Sequence, residues 1–166
     1  KPVIYACNVD EKSVTTGNAY VEQLKAAVAS ENAQVIIISA AIEADIAQLE
    51  SEEDRAVFLA DMGLTESGLN KLTRAAYSLL DLYTYFTAGV QEVRAWTITK
   101  GMKAPQAAGV IHSDFERGFI RAEVIGYDDY IKYKTEAACR EAGRLRLEGK
   151  EYIVQDGDVM HFRFNV

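Results

Sequence analysis

The chain has 166 residues, 49% hydrophobic and 26% charged with a net charge of −7, the profile of a soluble globular protein of one moderate or two small domains. Its longest apolar runs, such as Val35 to Ala41, fall far short of a membrane span, and no secretory leader is expected. Cys7 and Cys139 lie far apart without a C-x-x-C pair, so free buried thiols in a reducing cytosol are expected, not a disulfide or metal site.

The charge is uneven. Residues 1–81 carry 13 acidic against 6 basic side chains, while residues 82–166 carry 12 of each. Halves with different electrostatics predict two domains with different partners, divided between residues 81 and 82.

Val3 to Cys7 reads as a buried strand ending in the polar turn Asn8-Val9-Asp10-Glu11. Val21, Leu24, Ala27 and Val28 recur at helical spacing and predict a helix over Ala19 to Ser30. Val35 to Ser39 is a β-branched run and a second buried strand. Ala40 to Glu50 continues as a helix with Ile42, Ile46 and Leu49 on one face. Strand–helix–strand–helix in so short a span predicts an α/β domain with parallel strands. Two strands cannot cover both faces of such a sheet, so further strands are expected upstream. The start at Lys1, directly before a strand, predicts a piece of a longer protein.

Two more helices are expected at Glu52 to Met62 and Ser67 to Leu80, the second capped by Ser67. Near Leu82 the pattern changes. Tyr83 to Thr87 and Val93 to Ile98 are aromatic and β-branched and predict a hairpin through Ala88 to Glu92. A short helix follows at Pro105 to His112, a strand at Phe119 to Ile125 and one helix at Asp129 to Ala142. Tyr152 to Val154 and Val159 to Val166 read as closing strands around an Asp156-Gly157-Asp158 turn.

The motifs N-V-D-E and S-A-A-I-E are followed by G-L-T-E-S-G-L, T-Y-F-T-A-G and E-V-R-A-W-T-I. Further on come A-P-Q-A-A-G-V-I-H-S-D-F-E-R-G-F-I-R-A-E-V and D-G-D-V-x-x-F-R-F-N-V. Together they resemble the YchF family, the Obg-like ribosome-binding ATPases of the translation-factor-related P-loop class. The resemblance covers the whole chain and is most specific over Thr84 to Val124. It implies the later part of an α/β P-loop nucleotide-binding domain at residues 1–81, and an α+β β-grasp TGS domain at residues 82–166. It further implies ATP as preferred nucleotide with GTP weaker, Mg²⁺ in the full-length protein, and a cytoplasmic, ribosome-associated role.

Open α/β sheets bind ligands at the carboxyl ends of their strands, where N-V-D-E and Ser39-Ala40 stand. GTPases of the class read guanine with N-K-x-D, whose aspartate accepts two hydrogen bonds from the base. Here Glu11 is one methylene longer and Val9 replaces the lysine. Adenine lacks the matching donors, so Glu11 is expected to point elsewhere, while the Asn8 carboxamide pairs with adenine N6 and N7. Val9 is expected to pack on the base plane and the Ser39-Ala40 backbone to flank its six-position. Losing guanine's polar match costs discrimination of order 10²-fold or more. No G-x-x-x-x-G-K-S/T occurs, so no phosphate cradle and no hydrolysis are expected from this chain.

No catalytic set stands out after Leu82. His112 and His161 read as structural or surface residues, His161 on the outer face of the last strand. Asp156 and Asp158 read as turn formers, too few oxygens for a Ca²⁺ site. The aromatic strand residues Tyr83, Tyr85, Phe86 and Trp96 suggest a base-stacking platform, but period-two spacing favours core packing for Tyr83 and Tyr85, or for Phe86 with its own partners. Arg94, Lys103, Arg117, Arg121, Arg140, Arg144 and Arg146 are the expected RNA or ribosome contacts, against a solvated face of salt bridges. A β-grasp module docking proteins, without nucleotide function, is the alternative. An uncovered sheet edge in residues 1–81 also predicts self-association, including a homodimer.

Overall fold

The computed structural model describes residues 1–31, 33–89 and 92–165. The chain divides into two units, Lys1–Leu80 and Asp81–Val166.

In the first unit β1 (Val3–Asn8) and β2 (Ala33–Ile38) lie parallel, in register from Val3 opposite Ala33 to Asn8 opposite Ile38. The crossover carries α1 (Ala19–Ala27), opened by the Asn18 side chain, which accepts the N–H groups of Tyr20 and Val21. Next come α2 (Ala40–Gln48), α3 (Glu52–Asp61) and α4 (Gly68–Leu79). Ser67 caps α4, its hydroxyl accepting from the Asn70 N–H at 3.1 Å. Glu43 of α2 accepts from the Gly68 and Leu69 N–H groups at 2.6 and 3.2 Å, tying two helices together at a helix N-terminus that favours negative charge. A Cβ at Gly68 would lie 2.8 Å from Ile38 Cγ2, so glycine lets α4 approach β2 closely. Val14, Ile42 and Leu64 form the core, with Val9, Ile46 and Phe58 against it.

The second unit is a five-stranded mixed sheet. Its strands are β3 (Leu82–Ala88), β4 (Val93–Thr99), β5 (Phe119–Gly126), β6 (Arg146–Glu148) and β7 (Asp158–Phe164), in the order β4-β3-β7-β5-β6. β3 meets β7 in parallel at Phe86 and Val159, and the other pairs are antiparallel. The hairpin loop Ala88 to Glu92 includes Val90 and Gln91, which lie outside the described residues. One face packs Tyr85, Ile98, Ala122, Val124, Met160 and Phe162 against α5 (Ala104–Ile111). Tyr85 is fully buried and donates its hydroxyl to the Ala107 carbonyl at 2.9 Å, which satisfies the one polar atom it brings inside. The other face packs Ile125 and Val159 against Tyr130 of α7 (Tyr127–Tyr133) and Cys139 of α8 (Glu136–Glu141). Tyr83 leans on the first core and Phe86 on the second, as period-two spacing predicts, and Trp96 joins the first.

Several expectations are corrected. β1 and β2 are not buried strands: none of their side chains is fully covered, because each face of the pair is only partly packed. Cys7 is therefore half-buried, whereas Cys139 is buried. α1 stops at Ala27, where the Val28 N–H bonds back to the Leu24 carbonyl. The single helix expected over Asp129 to Ala142 is two. Lys134 turns left-handed at φ 68° and Thr135 caps α8 by accepting from the Ala138 N–H. A short α6 (Ser113–Arg117) and β6 join the expected elements.

Tyr152 to Val154 forms no strand with β7. The Ala104 N–H donates to the Tyr152 carbonyl and the Val154 N–H to the Met102 carbonyl, so the segment docks beside the start of α5. Asp156 and Asp158 do more than turn the chain. Asp156 Oδ1 accepts the Thr84 N–H at 2.7 Å, and the buried Asp158 carboxylate accepts from Tyr152, Gln155 and Arg146. No described helix is long and apolar enough to cross a membrane.

Candidate functional site

Parallel pairing brings the carboxyl ends of β1 and β2 side by side, with the Val9 N–H donating to the Ile38 carbonyl at 2.9 Å. Asn8 ends β1 and Ser39 is the last residue before α2. The Asn8 Oδ1 accepts the Ala40 N–H at 2.9 Å, which supplies the cap that Ser39 does not give. This bond assigns the amide, since an N–H requires the oxygen facing it. The Asn8 Nδ2 donor then points away from Ala40, and Asn8 itself is exposed.

Ser39 is 1% exposed, and its Oγ has no hydrogen-bond partner among the described residues. A buried hydroxyl left unpaired costs about 1–3 kcal/mol, so such atoms mark places where another group belongs. Glu11 is exposed and opens a 3₁₀ turn, Glu11–Ser13, with Asp10 Oδ1 accepting the Ser13 N–H at 3.0 Å. Val9 is half-buried against the Val14–Ile42–Leu64 core. Asn8, Ser39 and Ala40 thus meet, with Val9 turned to the core and Glu11 standing on the turn beside them.

The basic residues of the second unit occupy several places. Arg94 lies 4.1 Å over the Trp96 ring, Lys103 pairs with Glu151 at 2.5 Å and Arg117 pairs with Asp114. Arg140 pairs with Glu136 at 3.0 Å and reaches Glu123 at 3.8 Å, and Arg144 reaches Asp129 at 3.7 Å. Arg146 donates to Asp158 and the Tyr152 hydroxyl. Arg140, Arg144 and Arg146 therefore address different carboxylates. Among the described residues Arg94 and Arg121 have no carboxylate partner.

Arg163 was not among the expected contacts, yet it pairs with Glu123 at 3.2 Å, directly opposite Arg121. The alternation that puts His161 outward carries it to the same face. Ligand atoms of Glu123, Glu136 and His161 lie within 4.8 Å of one another. Arg140 and Arg163 already neutralise those carboxylates, so the group is an ion-pair network. His112 is exposed and caps α6, its Nδ1 accepting the Asp114 N–H at 3.2 Å.

Residues 82–165 match the family model YchF-GTPase_C, described as a protein of unknown function (DUF933). The whole chain is 58% identical to a protein named ribosome-binding ATPase YchF of Bacillus subtilis (strain 168), covering 46% of it. It is 55% identical to the protein of the same name of Escherichia coli O157:H7, covering 45%. The chain thus spans about half the length of these curated relatives. Among solved structures, that of the Schizosaccharomyces pombe YchF GTPase matches 98% of this chain and 43% of its own, with TM-score 0.82 and 40% identity. A GTP-binding protein from Pyrococcus horikoshii OT3, at 18% identity and TM-score 0.62, shares the fold. The N-V-D-E and S-A strand ends, the mixed sheet of the second unit and these matches agree, and the chain belongs to the YchF family.

Proposed function

We propose that residues 1–81 supply the base-reading edge of a purine nucleotide site that prefers adenine, within a longer ribosome-associated ATPase acting in the cytoplasm. The observation that carries this is the bond from the Ala40 N–H to Asn8 Oδ1. Guanine offers a carbonyl at its six-position and needs a donor there; adenine offers an amino group and needs an acceptor. The backbone donor at that place is already taken, and the second lone pair of Asn8 Oδ1 stands ready for N6 while Nδ2 donates to N7. The unpaired Ser39 Oγ fits a site completed by a bound base. Val9 in place of lysine and the exposed Glu11 leave guanine without its charge-assisted pair.

Phosphates and Mg²⁺ belong, in this reading, to other segments of the longer protein, and hydrolysis with them. The printed names of the relatives, ribosome-binding ATPase and YchF GTPase, mention both nucleotides; ATP as the main one and GTP as the weaker is the order this reading assigns. Residues 82–166 act as a TGS-type β-grasp domain that contacts ribosomal RNA through basic side chains.

The test is nucleotide binding by the longer protein with fluorescent ATP and GTP analogues. The pair Val9→Lys and Glu11→Asp should raise GTP affinity relative to ATP by at least about tenfold. An unchanged ratio overturns the base assignment. Ribosome co-sedimentation over a KCl series tests the second half: steep loss with salt supports RNA contact, and salt-insensitive binding supports a protein partner.

A further inference from the structure

The outer face of the β5–β7 pair changes character along its length. Ile125 opposite Val159 is apolar and covered by α7 and α8. One step along, Glu123 faces His161, and one step further Arg121 faces Arg163. Directly opposed residues on an antiparallel pair have Cβ atoms about 4.5–5.5 Å apart, and like charges there destabilise the sheet. Two guanidinium groups in that position need negative charge.

The protein supplies only part of it. Glu123, 8% exposed, accepts from Arg163 at 3.2 Å and lies 3.8 Å from Arg140 of α8. Arg140 also holds Glu136. Arg140 and Arg163 therefore share two carboxylates, and Arg121 has no hydrogen bond or ion pair among the described residues. The buried Glu123 anchors Arg140 and Arg163, yet about half of each side chain stays in solvent, 58% and 47% exposed. Guanidinium groups held in place by a buried carboxylate, with donors still facing water, suit bidentate binding of a phosphate.

We propose that Arg121, Arg163 and Arg140 form a phosphate-binding site, and that its ligand is the phosphodiester backbone of RNA. This rests on the reading that the second unit contacts ribosomal RNA. Of the three, Arg163 is the residue that charge counting along the sequence passes over. Glu123 is the internal competitor that positions two of the arginines while weakening their pull on an external anion.

The 166-residue chain is titrated against a fluorescein-labelled RNA hairpin by fluorescence anisotropy over about 50 to 200 mM KCl. Arg121→Gln removes no internal pair and relieves the opposition to Arg163, so the thermal midpoint should hold or rise while RNA affinity falls about fivefold and the salt slope by about one contact. Arg163→Gln should act in the same direction. Glu123→Gln should raise RNA affinity severalfold, which structural damage would not do.

Wild-type affinity in Arg121→Gln and Arg163→Gln, with losses in Arg94→Gln or Lys103→Gln, overturns this site and leaves the RNA reading standing. No RNA binding by the unaltered chain overturns both. Inorganic phosphate is titrated as a separate arm. A response to it that depends on Arg121, without any effect of Arg121→Gln on RNA, assigns a small anion in place of RNA and overturns the ligand.

Discussion

Tyr152 donates its phenolic proton to the buried Asp158 carboxylate at 2.7 Å, and the Gln155 N–H donates to the same oxygen at 2.9 Å. Arg146 reaches the other oxygen at 3.4 Å. This one carboxylate, 3% exposed, ties the 152–155 segment to the first residue of β7. Asp158→Ala should therefore cost about 3 kcal/mol in urea unfolding, since several donors lose a buried charged partner. Tyr152→Phe removes one of the donors and should cost about 1–2 kcal/mol. A cost below about 0.5 kcal/mol for Asp158→Ala, half that of an average hydrogen bond, would show that the network adds nothing.

Two phenols, one in this network and one apart from it, shape alkaline behaviour. Burial pushes the Tyr85 phenol above its ordinary 10.0, and burial followed by the Asp158 hydrogen bond does so for Tyr152. Both folded values are raised, so their contribution is intact below pH 10.0 and is lost as pH rises above it, where unfolded tyrosines ionise first. For the buried Tyr85 the slope approaches about 1.4 kcal/mol per pH unit. Denaturant unfolding from pH 9 to roughly 11.5 should show the decline, shallower in Tyr85→Phe than in the parent chain. Equal slopes in the two proteins would contradict the assignment.

Gly118 permits a close crossing of the chain. A Cβ there would meet the Asn165 carbonyl oxygen at 2.2 Å, and that carbonyl belongs to backbone paired with Gly118 itself through the Asn165 N–H. Neither partner can yield without opening the end of the β5–β7 pair. Gly118→Ala should cost roughly 2–3 kcal/mol by thermal or chemical unfolding. A variant as stable as the parent would mean the terminal segment shifts freely.

Asn8 has two duties that one pair of substitutions separates. Asn8→Ala removes the cap on α2 and should lower stability of the chain by about 1 kcal/mol. Asn8→Asp keeps an acceptor for the Ala40 N–H and should hold stability near the parent value. In the longer protein it should still lose adenine binding, because the Nδ2 donor is gone. Retained ATP affinity in Asn8→Asp, measured with a fluorescent analogue, would remove Asn8 from the base site.

Local pattern determined much of this protein. The β-branched runs at β1 and β2, the helical spacing of α1, α2 and α4, the Ser67 cap and the period-two aromatics of β3 and β4 follow from nearest-neighbour sterics and amphipathic burial. Those forces act within a few residues and are written in order along the chain. The motifs at Asn8 and Ser39 were likewise legible as strand ends.

Tertiary contact decided the rest. Lys134 breaks a helix that periodicity would continue, and Tyr152 to Val154 leaves the sheet because Met102 and Ala104, some fifty positions earlier, take its backbone groups while the nearby Asp158 holds the Tyr152 hydroxyl. The Asn8–Ala40 bond spans 32 positions, and the Arg121–Arg163 opposition depends on a register shift between Phe119 and Arg121. Charge and hydrogen-bond partners are chosen by distance in space, and only the folded sheet sets those distances.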